Sequence, residues 1–493
     1  MTTLAETFEA AAQRAPDRDA LVFAHGAVTY GELRARVYGA ARALEGKTRV
    51  AIVAGSTVEA LAVFWGAQWA GAETVDVPLH VGADAIAKML EEARPDAIVT
   101  DAANQHLVPE ARAVLDADDV AAPGEPVSRT PRAATDVAHI IYTSGTTGTP
   151  KGVMLSHENL LFDVEAAAVR MPLEEGSRLL IVVPMFFIHG RMQLIAHTRV
   201  AGTLCFSRGF RFPRKVVEEL AQHRVHGMSG VPFHFATLLT RTRIAEASLP
   251  DLRYVLVTGG ALDARMMGRL RRALSGIEIH TAYGSTEASP RVCHASPAEL
   301  AARPSTAGRA LPGVTIEVHA SDGLPVPNGG LGQVVVRGPN VMVGYVSGDE
   351  RTSGRIDESG ALHTGDLGRL DADGYLFLSG RLSEMIKTAG ERVFPREIEA
   401  VLERHPAVLE AAVVGLPDRV LGERIVAFVV PRPGQTAAPA ALAEHARAWL
   451  PFVRSPREVF VVEALPKTAS SKLRRNHLIA LAQSEAFRNA QQG

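Results

Sequence analysis

Seven consecutive residues, Thr143 to Thr149, are Ser, Thr or Gly, and Pro150 and Lys151 follow them. The chemistry such a run offers is anion capture. Glycines let successive backbone N–H groups converge on one concavity that suits phosphate oxygens. The hydroxyls add donors and Lys151 adds a positive charge. Composition alone fits a Gly/Ser/Thr surface turn equally well. The spacing is not G-x-x-x-x-G-K-[ST], because the sixth position counted from Gly145 is Pro150. The helix-borne triphosphate loop written in that motif is therefore absent. Further along, chemistry-bearing residues recur in short turns: Tyr283 to Glu287 in TAYGSTE, Asp366 in TGD, Arg381, and Lys472 in LPKTASSKLRR. Taken singly, a strand-end Tyr fits the core or the rim, and an isolated Glu or Lys fits a solvated surface.

These turns need elements to hold them. The first third alternates helical and strand patterns: ELRARVYGAARAL (32–44), RVAIVAG (49–55), EALAVFWGAQWAGA (59–72) and ETVDVPL (73–79). Near-continuous apolar strands separated by helices predict a parallel sheet covered by helices. The segment 117–136, rich in Ala, Pro and Asp, reads as a surface connector. The pattern resumes with VAHIIYTS, RLLIVVP (178–184), VHGMSGV (225–231), LRYVLVTGG (252–260) and EIHTAYG (278–284). Such runs end in small residues, and ligands of open α/β sheets sit beyond the carboxyl ends of strands. From about 310, short strands with Gly, Pro, Asn and Asp turns form a β-rich lobe. After Arg381 a new α+β unit begins. The expected fold is α/β, with a large N-terminal domain (1–381) of stacked parallel-type sheets and a small C-terminal domain (382–493).

At 493 residues the chain is too long for one ordinary core and suits about three packing units. An apolar fraction of 47% and a charged fraction of 22% fit a globular protein. The formal net charge of -2 gives no basic footprint for non-specific nucleic-acid binding. Cys205 and Cys293 have no metal or disulfide spacing and read as core residues of a reducing compartment. The start lacks an apolar signal core, and the longest apolar run, at 179–188, is too short to span a bilayer. A cytoplasmic protein is expected.

The string YTSGTTGTPKGV resembles the phosphate loop of the adenylate-forming (ANL) superfamily, in its acyl-CoA synthetase branch. In the same order as in that family come TAYGSTE (281–287), LHTGDLGRLDADGYLFLSGR (362–381), IKTAGERVFPREIE (386–399) and LPKTASSKLRR (465–475). The resemblance covers nearly the whole chain. It implies ATP, Mg²⁺ and CoA as cofactors and a small carboxylic acid as substrate, activated to acyl-AMP and then joined to a thiol.

The resemblance also assigns roles. Thr143, Ser144, Gly145, Thr146, Thr147, Gly148 and Lys151 would cradle phosphates. Tyr283 would stack on adenine beside Gly284, with Gly259, Gly260 and Ala261 as a flat wall. Thr286 would touch a phosphate and Glu287 would hold Mg²⁺, which prefers carboxylate and phosphate oxygens. Asp366 would accept the ribose hydroxyls, and Arg381 would donate to ribose or phosphate. Lys472 would stabilise the charge that builds as the carboxylate meets the α-phosphorus; Thr143, Lys151 and Glu287 join it in the catalytic set. The small domain would be mobile about a hinge at Glu384, bringing Gly390 to the pantetheine tunnel.

Departures from the family pattern are Ser471 for Gly, Ser383 for Lys, and Glu at the hinge. In PMFFIHG (184–190), Phe187 stands where relatives often have His, and His189 lines the acyl pocket, gates it, or merely packs. Arg191 is expected to face water. No F-D pair occurs in 184–206, which argues against an α-amino acid. Phe187, His189, Phe233 and Gly259 are the expected pocket wall, with His234, Gly260, Met185 and Met228 nearby, suited to a fatty or aryl acid. Three readings follow: a CoA ligase; a stand-alone enzyme loading an acyl or peptidyl carrier protein; and a non-catalytic ATP-binding interaction protein. A monomer or homodimer would suit the first.

Overall fold

The strand–helix repetition of the first third folds as a parallel sheet. The computed structural model describes residues 2–109, 114–143, 150–260, 264–348, 354–467, 473–484 and 487. Strand Arg49–Val53 lies between Glu73–Asp76 and Ala97–Thr100, parallel to both. Glu73–Asp76 is followed by Val137–Thr143, also parallel, and then by the antiparallel strands Lys151–Ser156 and Gly344–Tyr345. Leu115–Asp116 closes the other edge of this seven-stranded sheet.

The chain divides into two compact units, 1–317 with 335–364, and 318–334 with 365–493. A second sheet of the larger unit runs in parallel through Asp19–Phe23, Thr203–Phe206, Arg178–Ile181, Gly227–Gly230, Tyr254–Val257 and Glu278–Tyr283. Between the two sheets, one core gathers Ile52, Val99 and Ile141 from the first and Leu21, Leu179 and Leu204 from the second. Helix Val58–Trp69 fills that layer. All of its residues except Glu59 are buried, as an all-apolar helix requires. The outer faces of the two sheets carry separate cores. The length suggested about three packing units; the larger unit alone holds these three cores, because two sheets bury four faces.

In the smaller unit, residues 366–370 of strand Leu362–Leu370 pair with strand Tyr375–Arg381 in an antiparallel hairpin. A five-stranded sheet is built on the long pair Val408–Asp418 and Gly422–Pro431. Its period-two pattern sends Ala411, Val413 and Ala427 to one core and Ala412, Val414 and Phe428 to another. Cys205 and Cys293 are fully buried, as expected of core residues. No described helix is long and apolar enough to cross a membrane.

The segment 117–136 departs from a free surface connector. Val120 and Ala121 are buried. Gly124 N–H donates to Ala35 O, and the Trp69 indole donates to Val127 O. The segment is a strap over helix Tyr30–Ala43, which has Gly39 where it passes: a Cβ there would lie 1.8 Å from Ala122 O. Its polar composition hid the apolar anchors.

Candidate active site

In the larger unit, Thr143 and Lys151 face each other in the register of an antiparallel pair. The Thr143 hydroxyl donates to Lys151 O at 3.5 Å. The small-residue run is thus the connection of a β-hairpin; Ser144, Gly145, Thr146, Thr147 and Gly148 lie outside the described residues. The helix His157–Ala168 begins just beyond, capped by Ser156, whose hydroxyl accepts Asn159 N–H.

Lys151 and Glu287 are brought together by a residue the sequence did not single out. The Lys151 ammonium lies 4.8 Å from the ring centroid of Tyr345. The Tyr345 hydroxyl donates to Glu287 Oε1 at 3.1 Å. Tyr345 is 2% exposed and lies in the short strand paired with Val153 and Met154. Glu287 is anchored too, since its carbonyl accepts Met342 N–H at 2.9 Å. The result is a cation, a phenol and a carboxylate in sequence, just past the end of strand Glu278–Tyr283. Glu287 keeps a second oxygen beyond the one Tyr345 occupies, and a hard cation such as Mg²⁺ is suited by one carboxylate plus phosphate oxygens.

Tyr283 ends its strand half-buried. Gly284 is required next to it: a Cβ there would lie 1.8 Å from Pro290 O. Gly259 adopts φ +76°, a left-handed conformation suited to glycine, and Gly260 passes close to the Pro232 ring. Thr286 opens the turn that carries Glu287. Ala261 lies outside the described residues.

His189 is partly buried, and its Nε2 lies 2.6 Å from Ser229 Oγ. Burial, then the charge of Arg291, pushes its pKa down to about 3. The ring is neutral at physiological pH. Phe187 packs at a tilt against Phe186 and His80. Phe233 is 43% exposed, while Met185 and Met228 are buried in two different cores. His234 packs against Phe210 with centroids 4.4 Å apart and accepts Val231 N–H. A small void of about 20 Å³, room for one water, lies against Gln193, His197, Ser229, Tyr254, Leu256 and Arg291.

Arg191 does not face water. It is 2% exposed, and its guanidinium grips Asp76 through Nε at 2.9 Å and Nη2 at 2.7 Å. The guanidinium also lies 3.9 Å from the Phe64 ring centroid. Asp76 would be raised by burial, but the charges of Arg191 and His139 outweigh this and hold it below the usual carboxylate range. Asp76 sits beside Ile141 in parallel register, two residues before Thr143. The pair therefore pins the start of helix Ile188–Arg199 to strand Glu73–Asp76, the neighbour of the strand that leads into the small-residue run.

In the smaller unit, Asp366 and Arg381 face each other across the hairpin, Oδ1 to Nε 3.0 Å. Asp366 is 7% exposed and Arg381 is partly open. Gly390, with φ +83°, shares a two-residue turn with Ala389 between Ile386–Thr388 and Glu391–Val393. Glu384 closes the turn that also holds Ser383, and its Oε2 lies 3.0 Å from Arg475 Nε. Arg475 also reaches Glu399 Oε1 at 2.7 Å and Val413 O at 2.6 Å. Lys472 and Ser471, which precede Arg475 by three and four residues, lie outside the described residues.

Tyr345 and Arg475 were missed in the sequence, because each meets partners far along the chain, which leave no local signal.

Comparison with known proteins agrees with this arrangement. The profile of the AMP-binding enzyme family matches residues 8–346, and that of the AMP-binding enzyme C-terminal domain matches 397–472. A bicyclic propanoyl:CoA ligase of Mycobacterium tuberculosis is 31% identical over 97% of this chain and 98% of its own. The feruloyl-CoA synthase of an Amycolatopsis species is 34% identical over 73% of this chain and 72% of its own. Among solved structures, o-succinylbenzoate CoA synthetase of Bacillus subtilis, in complex with its acyl-adenylate intermediate, superposes with a TM-score of 0.86 at 28% identity. That match covers 96% of this chain and 97% of the other. ATP-bound MatB of Rhodopseudomonas palustris gives 0.89 at 27% identity, over 99% and 100%. The chain, with its mixed α/β architecture and the ordered turns at its strand ends, belongs to the AMP-binding enzyme family, in the acid–CoA ligase branch of the adenylate-forming enzymes.

Proposed function

We propose that this protein activates a fatty or aryl carboxylic acid with ATP, releasing pyrophosphate, and transfers the acyl group from acyl-AMP to CoA. The observation that carries the reading is the Lys151–Tyr345–Glu287 array at the strand ends of the larger unit. There a cation and a carboxylate held by one phenol suit a nucleotide triphosphate and its Mg²⁺, which Glu287 would hold. The ion would neutralise charge on the phosphates. Lys151 and the hydroxyl of Thr143 would bind phosphate oxygens from the hairpin end, and Tyr283 would offer its ring to adenine. Asp366 would accept ribose hydroxyls, with Arg381 as its charged neighbour. Lys472 would stabilise the transferring oxygens, a contact that typically contributes several kcal/mol.

Glu384 is the proposed hinge between domains 1–381 and 382–493, and Gly390 the residue lining the thiol's approach. Relatives support CoA as acceptor, for they include ligases and synthetases of CoA thioesters. A carrier-protein phosphopantetheine is the competing acceptor. The test mixes protein, ATP and Mg²⁺ with acids from acetate to palmitate and from benzoate to cinnamate. Pyrophosphate release and mass spectrometry are read without and with CoA. Acyl-AMP that converts to acyl-CoA supports the reading. Acyl-AMP that persists with CoA replaces CoA by a carrier protein, and absence of acyl-AMP overturns the ligase.

A further inference from the structure

Lys151 and Glu287 lie far apart in the chain, yet they must stand at a fixed spacing to share one nucleotide. The segment 339–346 runs between them, and its backbone is bonded to both sides. Val343 N–H donates to Met154 O at 3.0 Å and Val346 N–H to Gly152 O at 2.8 Å, on the strand that begins with Lys151. Met342 N–H donates to Glu287 O on the other side.

Asn340, in the same segment, is 0% exposed. Its amide nitrogen lies 3.3 Å from Ala288 O and 3.0 Å from Arg291 O. Carbonyls only accept, so both amide hydrogens are used and the orientation of the amide is fixed. The turn that follows Glu287 is thereby held at its two ends. Asn340 Oδ1 has no hydrogen-bond partner among the described residues. A buried amide with an unmade bond carries a cost that an apolar side chain of the same shape avoids. Packing alone therefore does not explain an amide at this position, whereas its two donors do.

Asn340 is itself held from behind. Helix His157–Ala168 places Asn159 and Asp163 four residues apart on one face. The Asn159 amide donates to Pro339 O at 2.8 Å and to Val341 O at 2.9 Å, the carbonyls on either side of Asn340. Its oxygen accepts Ser156 N–H at 2.8 Å, so the helix cap seats it. Asp163 accepts Arg291 N–H at 2.9 Å and the Arg291 guanidinium at 2.6 Å. The strand and helix that follow Lys151 thus grip the turn that follows Glu287, with Asn340 as the link. Tyr345 joins the tips of the two side chains, and Asn340 fixes the backbone from which Glu287 projects.

We propose that Asn340 is a positioning residue of the nucleotide site. It acts through Glu287: by holding Ala288 O and Arg291 O it sets where that carboxylate stands relative to Lys151, and with it the grip on the nucleotide's Mg²⁺. The proposal rests on the reading above, in which Glu287 holds that ion. Its test needs no acid. ATP binding is measured by calorimetry in excess Mg²⁺ and in EDTA, and Mn²⁺ is substituted so that electron paramagnetic resonance reports on the bound ion. Asn340→Leu keeps the shape and removes both donors. Leu220→Ala, in the outer core that none of these residues joins, is the control for lost stability. Asn340→Leu should cut the gain in ATP affinity that Mg²⁺ brings by about 10-fold and alter the Mn²⁺ spectrum, leaving binding in EDTA unchanged. Leu220→Ala should lower the melting temperature and move neither. An unchanged Mg²⁺ gain in Asn340→Leu, or an equal loss in Leu220→Ala, overturns the proposal. Should Asn340→Leu not fold, Asn159→Asp decides by the same readings, for it keeps the acceptor for Ser156 N–H but loses both donors to the 339–341 segment. ATP binding that no metal strengthens in the parent overturns this proposal alone. A parent that binds no ATP overturns the ligase reading and this one with it.

Discussion

Replacing Arg191 by Met should reveal how strongly the buried ion pair holds the larger unit together. Arg191 and Asp76 are both about 2% exposed, and the guanidinium makes three bonds to the carboxylate, at 2.7, 2.7 and 2.9 Å. Met fills much of the side-chain volume but leaves Asp76 charged and buried. His139 Nε2 stands 3.3 Å from that carboxylate. It is close enough to feel the charge but not aligned to donate to it. Breaking a buried pair on one side costs about 3–5 kcal/mol. For a unit of this size that corresponds to a fall of roughly 5–10 °C in melting temperature. Thermal unfolding followed by circular dichroism at one scan rate would read it. The double variant Arg191→Met/Asp76→Asn removes the stranded charge and should recover at least about 2 kcal/mol relative to additivity. A fall below about 1 °C, or strict additivity in the double variant, refutes the reasoning. The pH sign is also fixed. Asp76 has a folded pKa below its unfolded 3.8, so its contribution is complete above pH 3.8 and is lost as pH falls further. In Arg191→Met burial is no longer offset by Arg191 and raises the Asp76 carboxyl, so the defect should be largest near pH 8 and shrink as pH falls and the carboxyl takes up a proton.

Lys472→Ala should spare ATP binding, read by calorimetry, yet abolish acyl-AMP formation; retained adenylation would remove Lys472 from the mechanism. Tyr345→Phe keeps the ring under Lys151 but deletes the bond to Glu287. A hydrogen bond to a charged group is worth about 1.5–3 kcal/mol, so kcat/KM for ATP should drop roughly 10–100-fold, with the Mg²⁺ requirement shifted upward. Gly284→Ala forces a methyl against Pro290 O, and should lower melting temperature and adenylation together. Finally, His189 and His197 have pKa values pushed by burial to about 3 and about 4, as does His234 at about 4. Each stays neutral in the fold but protonates when unfolded, so stability should decline as pH falls from about 6.5 towards 4. Asp163, whose carboxyl burial raises to about 7 against the Arg291 charge, contributes with the opposite sign. The net slope measured in melts of His197→Phe against the parent separates the histidine share.

The parts of the fold written in contiguous residues were legible. RVAIVAG, LRYVLVTGG and EIHTAYG are runs ending in small residues, and each contains a strand of the larger unit. Ser156 was legible as a helix cap because capping is local. What escaped depends on distant partners. The burial of Arg191 is decided by Asp76, 115 residues earlier, and no local pattern announces it. Tyr345 matters because a two-residue strand brings it beside Glu287, 58 positions away. Phe233 and Phe187 were chosen for apolarity; that Phe233 is 43% exposed and that Phe187 packs against His80 and Phe186 follows from distant segments, which no local pattern announces.

The strap over helix Tyr30–Ala43 has an evolutionary consequence. Even a methyl at position 39 would meet Ala122 O, so Gly39 can drift to no other residue while the segment 117–136 keeps its path; the two stretches, about 80 positions apart, are bound to change together or not at all.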